Sequence, residues 1–539
     1  MAINRLIDVH THLFNGFYVP IEEVLDHKAP LPRSLAKTFG RVLKQLIGSP
    51  LLETDDGHLG WLGLRQTESD PETVARALVE VIQRHLDAEI KTSNLKDTVE
   101  RARNSQLHQA VVSLLREDAR QRRDPYDVDI LGDDLSLAFT EADEVTAEFT
   151  RLSLLRDLMS LLHGVIINIL MMNQGQVAAF VLKMLTSDAV LFDQLLNQNY
   201  RPDDQPALMV HHTMDIEPPY RWRNGPVPTI GPEYPFDDVQ IHRSADFIKR
   251  AGGRLLGFVA FHPERGPRAL ELCQQARCHG HIGVKIYPPL NYRPDDWDSY
   301  PVLRQLYDWC CAEDIPIMAH CTPTGFEAWS GTGICADPLH WAAVLKEYPD
   351  LRLCLGHAGG GDYQNIPCNL SGDIYPDSQE TTDTDGWYST RTHWKQAGQL
   401  CYPRTVVRLC RKYPKVYCDF SYLTGILQDG KKKKRFIANF KAAMSDQGKY
   451  KFADKVMYGT DWHMMEMVGH TQEFRDTFQA IFAEHDWLSD EAADKFFFGN
   501  AVAFLNLPGF IAAQSDCAPA FFEPDALTHL RAIVRAAGG

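Results

Sequence analysis

The segment Asp8-Val9-His10-Thr11-His12 constrains this chain more than any other stretch of its sequence. It follows the apolar pair Leu6-Ile7, which places it at the end of a first β-strand. Because side chains alternate between the two faces of a strand, His10 and His12 point the same way, with Asp8 on that face as well. Two imidazoles one residue apart can bind a single metal ion, and Asp8 can support a ligand through a hydrogen bond. The motif alone is weak evidence, so its meaning depends on further ligands at the ends of later strands.

Seven further strand candidates follow residue 205, each a short apolar run separated from the next by a helical segment. The predicted strands are residues 3–12, 207–211, 255–261, 282–287, 315–320, 351–357, 416–419 and 456–461. Strands that alternate with helical crossovers are typical of the α/β class with a parallel sheet, and eight of them predict a (β/α)8 TIM barrel. Such barrels carry their active sites at the carboxyl ends of the strands.

The interval between the first two strands contains helical patterns instead of strands. Asp70 is the predicted N-cap of one helix, with Pro71 at its first position and apolar residues at three-and-four spacing as far as Leu86. The predicted organisation is a barrel formed by residues 1–19 and 206–509, a mostly helical insertion or cap at residues 20–205, and a C-terminal helical tail at residues 510–539.

One stretch of the insertion, Leu158 to Leu182, contains no Asp, Glu, Lys or Arg and is long enough to span a bilayer. It contains His163 and several Asn and Gln residues around Gly175, which would be costly in lipid. Two buried helices that separate near Gly175 explain this composition better than a membrane span does. We therefore expect no membrane partner.

The formal net charge of −16 argues against nucleic acid as a partner, because binding a phosphate backbone requires a basic surface. The basic run Lys431–Arg435 is interpreted as the solvated start of a helix after Gly430. All twelve cysteines lie beyond residue 272 without a C-x-x-C pair, which favours reduced thiols and a cytoplasmic protein. The first residues are typical of a strand and not of a secretory signal, in agreement with that expectation.

Four of the predicted strands end in side chains that bind metals. Besides His10 and His12, these are His320 after the fifth strand, His357 after the sixth and Asp461 after the eighth. Each has a structural explanation by itself, since a strand-end histidine is often only hydrogen-bonded and an Asp after Gly-Thr is often a turn residue. Together at one rim they suit zinc or a similar first-row metal, with one position left for water.

The chain resembles the amidohydrolase superfamily, and within it the amidohydrolase-related branch of aminocarboxymuconate-semialdehyde decarboxylase-like enzymes. The segments that carry the resemblance are Asp8–His12, Gly283–Pro288, Pro316–Cys321, Leu353–Gly360, Gly459–Trp462 and Phe498–Ala501. The resemblance implies a metal-dependent TIM barrel over residues 1–15 and about 205–507. The implied ligands of one metal are His10, His12, His320 and Asp461. The implied catalytic pair is His357, a non-ligating acid/base, and Asp461, which takes the proton of activated water.

Lys285 is the ambiguous residue of the predicted fourth strand. Strand alternation places it on the same face as Tyr287, pointing into the barrel. In two-metal members of the superfamily, a lysine on this strand is carboxylated and bridges the metals. The branch that this chain resembles usually uses one metal, so one Zn²⁺ per chain is expected, with Lys285 facing a substrate anion or an internal group. The alternatives are Mn²⁺, a second metal with carboxylated Lys285, or an ordinary buried lysine paired with a carboxylate.

Weaker candidates for substrate binding lie around the same rim. They are His262 and Arg265 after the third strand, Arg293 after the fourth, and Trp462 and His463 beside the aspartate. The two arginines match a carboxylate in a bidentate manner, although surface exposure explains them equally well. His211 and His212 end the second strand, and one of them is expected to face the core or a helix. The loop from Gly359 to about His393 is long enough to be a lid or a specificity element.

Three functions are compatible with this sequence. The first is a metal-dependent hydrolase that uses metal-activated water on the C–O or C–N bond of a small carboxylated lactone, ester or amide. The second is a non-oxidative decarboxylase or hydratase of an aromatic or unsaturated carboxylic acid. The third is a non-catalytic scaffold whose insertion binds a protein, against which the intact ligand set argues. A small molecule is the expected partner and a homo-oligomer a further possibility, but the insertion departs from the family and limits any transfer of substrate identity.

Overall fold

The computed structural model describes a barrel and the ends of the insertion. The residues that it describes are 3–21, 23–24, 186–220, 232–323, 325–329, 331–360, 402–428, 430–445, 448–465, 470–517 and 519–538, with single positions 44, 47, 184 and 387. The chain divides into two units. One comprises Met1–Leu13, Phe192–Pro226 and Tyr234–Gly539, and the other comprises Phe14–Leu191 and Val227–Glu233.

Eight parallel strands form one sheet in the order in which they occur along the chain. They are β1 (Ile7–Thr11), β2 (Leu208–His212), β3 (Leu255–Phe261), β4 (His281–Ile286), β5 (Ile317–Ala319), β6 (Leu353–Leu355), β7 (Val416–Asp419) and β8 (Val456–Met457). Every strand is buried along its whole length, which explains the continuous apolar runs in the sequence. The predicted (β/α)8 barrel with an insertion between the first two strands is confirmed.

The barrel closes through hydrogen bonds between β1 and the segment that follows β8. The Val9 N–H donates to the Tyr458 carbonyl oxygen over 3.3 Å, and the Asp461 N–H donates to the His10 carbonyl oxygen over 2.7 Å. The buried Asp8 carboxylate strengthens this seam by accepting from the Thr460 hydroxyl over 2.7 Å. Closure therefore sets Asp461 beside His10, although the two lie at opposite ends of the barrel sequence.

Helices connect the strands and continue beyond β8. The described α-helices are α1 (Asp188–Asp193), α2 (Ile241–Arg250), α3 (Pro267–Arg277), α4 (Val302–Ala312), α5 (Pro338–Glu347), α6 (Tyr402–Lys412), α7 (Gly425–Gln428), α8 (Gly430–Ser445), α9 (Thr471–Ala483), α10 (Asp490–Asp494), α11 (Asn500–Leu505), α12 (Leu507–Ala513) and α13 (Pro524–Ala536). Local sequence sets some of these starts. At α5, the Asp337 carboxylate caps the helix by accepting the Leu339 N–H over 2.9 Å.

Aromatic rings fill the space between β7 and the helices α8 and α9. Phe420, directly after β7, lies 5.4 and 5.3 Å from Phe436 and Phe440 of α8 and 5.9 Å from Phe478 of α9, between ring centroids. All four rings are buried. Large buried aromatic side chains contribute strongly to stability, so this packing holds the end of β7 in place.

Four strands are shorter than predicted. β1 covers Ile7–Thr11 instead of residues 3–12. β5, β6 and β8 end at Ala319, Leu355 and Met457, whereas the prediction continued each of them to a histidine or an aspartate. The backbone explains part of this difference, because His357 has a φ of 58° and Asp461 a φ of 60°. Such left-handed backbone cannot continue a strand. These two side chains therefore project from turns beyond the strand ends.

Most of the insertion lies outside the described residues, and so do the helix predicted from Asp70 and the apolar stretch Leu158–Leu182. At its described ends, the Asn15 side chain donates to the Thr186 carbonyl oxygen over 3.0 Å and to the Asp188 carboxylate over 2.9 Å.

One helical stretch among the described residues, Asp490–Asp516, is long and apolar enough to cross a membrane. Its most apolar part is 56% buried inside the protein. There, Phe496 packs on Tyr458 and Phe504 packs on Phe258, with ring centroids 6.1 Å apart in both pairs. This arrangement is that of a core helix.

The expectation of reduced thiols is wrong at one pair. Cys278, after α3, and Cys517, before α13, form a disulfide that connects the C-terminal tail to the barrel. The eight other cysteines in the described ranges are free thiols. The pairing leaves no local sequence signal, since 239 residues separate the two cysteines.

Candidate active site and metal centre

Three of the predicted ligands meet at the carboxyl end of the barrel. His10 and His12 come from β1 and its end, and Asp461 follows β8. Oδ1 of Asp461 lies 3.7 Å from Nε2 of His10 and 3.2 Å from Nε2 of His12. All three side chains are buried. We call these three residues the ligand trio.

The donor atoms of His12 and Asp461 suit a shared metal cation. Nδ1 of His12 lies 3.0 Å from the His212 carbonyl oxygen, which can only accept, so neutral His12 carries its proton on Nδ1 and its lone pair on Nε2. That lone pair faces a carboxylate oxygen of Asp461, and two electron-rich atoms in this position repel each other unless a cation lies between them. Ligands of a four-coordinate zinc stand about 3.3 Å apart. The His12–Asp461 distance of 3.2 Å is close to that value.

The protonation states also suit a metal. Burial alone would raise the pKa of Asp461, but its contacts with the His12 and His10 rings outweigh burial and hold this pKa well below its usual range. Burial lowers the pKa of both histidines, and Lys285 lowers that of His10 further. The trio therefore combines an ionised carboxylate with neutral imidazoles, as metal binding requires.

A second group of predicted residues lies beside the trio. Nε2 of His357 is 3.1 Å from Nδ1 of His320, whose ring stacks on Tyr287 with 4.2 Å between centroids. The His357 ring is also a neighbour of His10, at 4.9 Å between centroids. The structure thus connects His320 to the ligand trio through His357. The role of His320 as a fourth ligand stays a prediction.

Lys285 points into the site, as strand alternation predicted. Its Nζ lies 3.0 Å from Nε2 of His10, and the residue is 1% exposed. Burial lowers its pKa to about 8, while Asp461 and Asp419 act in the opposite direction. In this position Lys285 can pair with a substrate anion or, in carboxylated form, act as a further ligand.

Two site residues that the sequence analysis did not single out come from the end of β7. Oδ2 of Asp419 lies 3.2 Å from Nδ1 of His10, and Oδ1 accepts the His357 N–H over 3.0 Å. The Ser421 hydroxyl lies 3.0 Å from Nδ1 of His10 and 2.9 Å from Nδ1 of His357. A signal for Asp419 was present, because it ends a predicted strand like the other site residues. Ser421 had none.

His212 is a further site residue without a predicted role. Its ring stacks on His10 at 4.5 Å between centroids, and its Nε2 donates to the Val9 carbonyl oxygen over 2.9 Å. Within the described ranges, two groups of residues have ligand atoms that all lie within 4.8 Å of one another, namely His10 with His12 and His212, and His10 with His357 and Asp419.

Strand alternation alone could not separate His212 from its neighbour His211. The register between β1 and β2 shifts between Asp8 and Thr11. Nδ1 of His211 accepts the Leu13 N–H over 3.0 Å, so His211 supports the backbone, while His212 stacks on His10. Alternation along β2 puts the two side chains on opposite faces but does not say which face is inside the barrel, which explains why the sequence left the two equivalent.

Arg265 and His262 are engaged within the fold. The side chain of Arg265 is 3% exposed and bonds the carboxylates of Asp215, Glu217 and Asp237. His262 donates from Nε2 to the Leu290 carbonyl oxygen over 3.2 Å and accepts the Glu264 N–H at Nδ1 over 3.3 Å. None of these contacts joins Arg265 or His262 to the ligand trio.

The remaining predicted residues occupy two different environments. The Arg293 side chain is 51% exposed and pairs with Asp295 over 3.4 Å. Trp462 and His463 follow Asp461 directly and are buried, with ring centroids 5.5 Å apart. Their role as a pocket wall stays a prediction. Most of the loop proposed as a lid, Gly359 to about His393, lies outside the described residues.

The fold is that of a TIM-barrel enzyme with histidines and carboxylates gathered at the carboxyl end of the barrel, and sequence comparison agrees. A family model described as "Amidohydrolase" matches residues 201–507, more than half of the chain. The chain belongs to this amidohydrolase family, whose members are metal-dependent, and the superfamily resemblance is confirmed. No curated protein sequence matches the chain.

Solved structures with a similar barrel are distant. A probable 2-pyrone-4,6-dicarboxylic acid hydrolase from Acinetobacter baumannii, with citric acid bound, is 11% identical over 57% of this chain and 92% of its own, with a TM-score of 0.35. A Burkholderia multivorans amidohydrolase with bound Zn is 12% identical over 56% and 84%, with a TM-score of 0.34. Metarhizium anisopliae IDCase in apo form is 16% identical over 60% and 80%, with a TM-score of 0.34. At these scores the likenesses carry no argument about function.

Proposed function

We propose that this chain is a metal-dependent hydrolase that cleaves a C–O or C–N bond in a small carboxylated lactone, ester or amide. The observation that carries the proposal is the Asp461 carboxylate, 3.2 and 3.7 Å from the Nε2 atoms of two histidines. The ligand trio would hold the metal, Zn²⁺ in first place, with His320 as the expected fourth ligand. When bound, the metal supplies Lewis-acid activation of a carbonyl group and of water.

Two residues of the chain, Asp461 and His357, carry out the proton transfers. Asp461 is ionised at neutral pH, because its pKa lies below the usual range, and it accepts a proton from the attacking water. The water oxygen bonds to the carbonyl carbon and the C–O or C–N bond breaks, while His357 delivers a proton that it has first taken on Nε2 to the departing oxygen or nitrogen. His357 is suited to this role because its backbone N–H and its Nδ1 are both held in place by the end of β7.

Lys285 supports the choice of a carboxylated substrate. Its ammonium group is buried beside His10, where burial lowers its pKa to about 8. A buried cation without sufficient negative charge is costly, and a substrate carboxylate would relieve that cost. A neutral ester or amide of the same size would not.

Product analysis tests this function against its alternative. Metal-free protein is reloaded with Zn²⁺ or Mn²⁺ and assayed on matched pairs of lactones, esters and amides with and without a carboxylate. The proposal expects a new carboxylate together with its alcohol or amine, faster on the carboxylated member of each pair. Release of CO₂ or addition of water to a double bond would replace the hydrolase with the lyase alternative. Absence of bound metal after Zn²⁺ loading would contradict both the hydrolase and the lyase function.

A further inference from the structure

The hydroxyl group of Ser421 lies between the two halves of the site. It is 3.0 Å from Nδ1 of His10 and 2.9 Å from Nδ1 of His357, and it also bonds Oδ1 of Asp419. Ser421 is fully buried. One oxygen atom therefore contacts a predicted metal ligand, the predicted acid/base and a carboxylate.

Counting protons assigns the direction of each of these bonds. Oδ1 of Asp419 accepts the backbone N–H groups of His357 and Ser421, each over 3.0 Å, so the carboxylate acts as an acceptor. The single hydroxyl proton of Ser421 then goes to Asp419, and the oxygen has only its lone pairs to offer to the two imidazoles. Both Nδ1 atoms must therefore carry a proton and donate it to Ser421.

A second acceptor beside each imidazole leads to the same assignment. Nδ1 of His10 also lies 3.2 Å from Oδ2 of Asp419, and Nδ1 of His357 lies 3.2 Å from the Ser421 carbonyl oxygen. A carbonyl or carboxylate oxygen cannot donate to an unprotonated nitrogen. Each neutral ring consequently has its lone pair on Nε2. In His10 this atom faces Asp461 and Lys285, and in His357 it faces His320.

We propose that Ser421 is a positioning residue that holds His10 and His357 in the Nδ1–H tautomer at the same time. The roles of the two histidines rest on the proposed function, whereas their tautomers do not. With the Nδ1 proton of each ring bonded to Ser421, both Nε2 lone pairs stay directed into the site.

The variant Ser421→Ala tests this positioning role, with Ser244→Ala as its matched control. Ser244 also places a buried hydroxyl 3.0 Å from a histidine, Nε2 of His281, but outside the site. Zn²⁺ alone is titrated into the metal-free protein by calorimetry. We expect Ser421→Ala to weaken Zn²⁺ binding by about 10- to 100-fold. Ser244→Ala should change it by less than about twofold, because the two sites share no partner.

Nitrogen NMR of the ¹⁵N-histidine-labelled, metal-free wild type reads the tautomers directly, because protonated and unprotonated ring nitrogens resonate far apart. The His10 and His357 signals are assigned by their loss in His10→Gln and His357→Gln. Both should show the Nδ1–H form in the wild type and a mixture in Ser421→Ala. Ser244→Ala should change only His281.

The possible outcomes are distinct. An Nε2–H tautomer at His10 or His357 in the wild type overturns the proposal even if Ser421→Ala does not fold. Unchanged Zn²⁺ affinity and unchanged tautomers in folded Ser421→Ala overturn it as well. If the wild type binds no Zn²⁺, the proposed function fails, and the NMR result alone decides the role of Ser421.

Discussion

Two buried serines contact histidines in different parts of the barrel, and their hydroxyl groups bond in opposite directions. At the start of β4, Nδ1 of His281 donates to the Ala276 carbonyl oxygen over 3.2 Å, and Nε2 accepts the Ser244 hydroxyl over 3.0 Å. Both nitrogens are used within the fold. Burial lowers the pKa of this histidine to about 4, so it stays neutral at physiological pH.

At the catalytic end, the Ser421 hydroxyl gives its proton to Asp419 instead, and the two imidazoles donate to it. Their Nε2 lone pairs remain directed into the site. A buried histidine is therefore structural or functional according to where its second nitrogen points, and the residue type of its partner does not decide this. His262 follows the pattern of His281, since backbone groups contact both of its nitrogens.

The largest effect should separate a site histidine from a structural one. We expect His12→Gln to lose the bound metal and to lower kcat/KM by on the order of 10³-fold. His281→Gln should keep its metal and its kcat/KM but lose stability by about 1–3 kcal/mol, because it leaves buried partners unpaired. Elemental analysis, kinetics and calorimetric unfolding measure these quantities. Loss of metal in folded His281→Gln would contradict the distinction between site and structural histidines.

The catalytic end of the barrel differs from the surroundings of His281 in a second way, which is the buried charge of Lys285. Its pKa is lowered from 10.5 to about 8 in the folded protein, so between these values the unfolded state binds a proton that the folded state has released. The free energy of unfolding of the metal-free protein should therefore rise from pH 8 to pH 10.5, by about 3 kcal/mol from this group. Below pH 8 the full cost of the buried ammonium remains.

The variant Lys285→Met should remove this contribution and be more stable than the wild type at pH 7 in the metal-free state. Urea unfolding at several pH values between 7 and 10.5 gives the free energy of unfolding of both proteins. The contributions of other titrating groups cancel in the difference between the two proteins. Parallel curves for the two proteins would show that Lys285 does not carry an uncompensated charge.

A smaller effect is expected from two glycines with positive φ. Gly325, at 119°, would place a Cβ 3.0 Å from the Tyr287 hydroxyl and 3.1 Å from Cε1 of His320, whereas Gly266, at 57°, faces open space. Each Ala variant strains the backbone by about 1–3 kcal/mol. We expect Gly325→Ala alone to lower kcat/KM, by about tenfold, because it displaces site side chains. An equal loss in Gly266→Ala would attribute the effect to strain and not to the site.

The smallest effect is expected at Arg293, which the sequence suggested as a binder of the substrate carboxylate. Because its side chain is half exposed and pairs with Asp295 at the surface, Arg293→Ala should change stability by less than about 0.5 kcal/mol. kcat/KM for a carboxylated substrate should stay within about twofold. A KM raised tenfold on carboxylated but not on neutral substrates would place Arg293 back in the substrate site.

The sequence by itself determined the eight-stranded parallel barrel and the rim that carries the site. Apolar runs, their helical spacers and the alternation that pairs His10 with His12 are local features, readable within a few residues. The positions of His320, His357 and Asp461 followed from strand ends, although all three residues lie beyond the strands that form.

Only the tertiary structure decided which ring nitrogen of each histidine keeps a lone pair that points into the site. The partners that settle this question, Asp419 and Ser421 for His10 and a backbone carbonyl for His12, lie hundreds of residues away or depend on a register shift. The same holds for Arg265, which its own carboxylates occupy, and for the disulfide of Cys278 with Cys517. Hydrogen-bond direction depends on spatial neighbours, and a sequence pattern encodes the residue types without their partners.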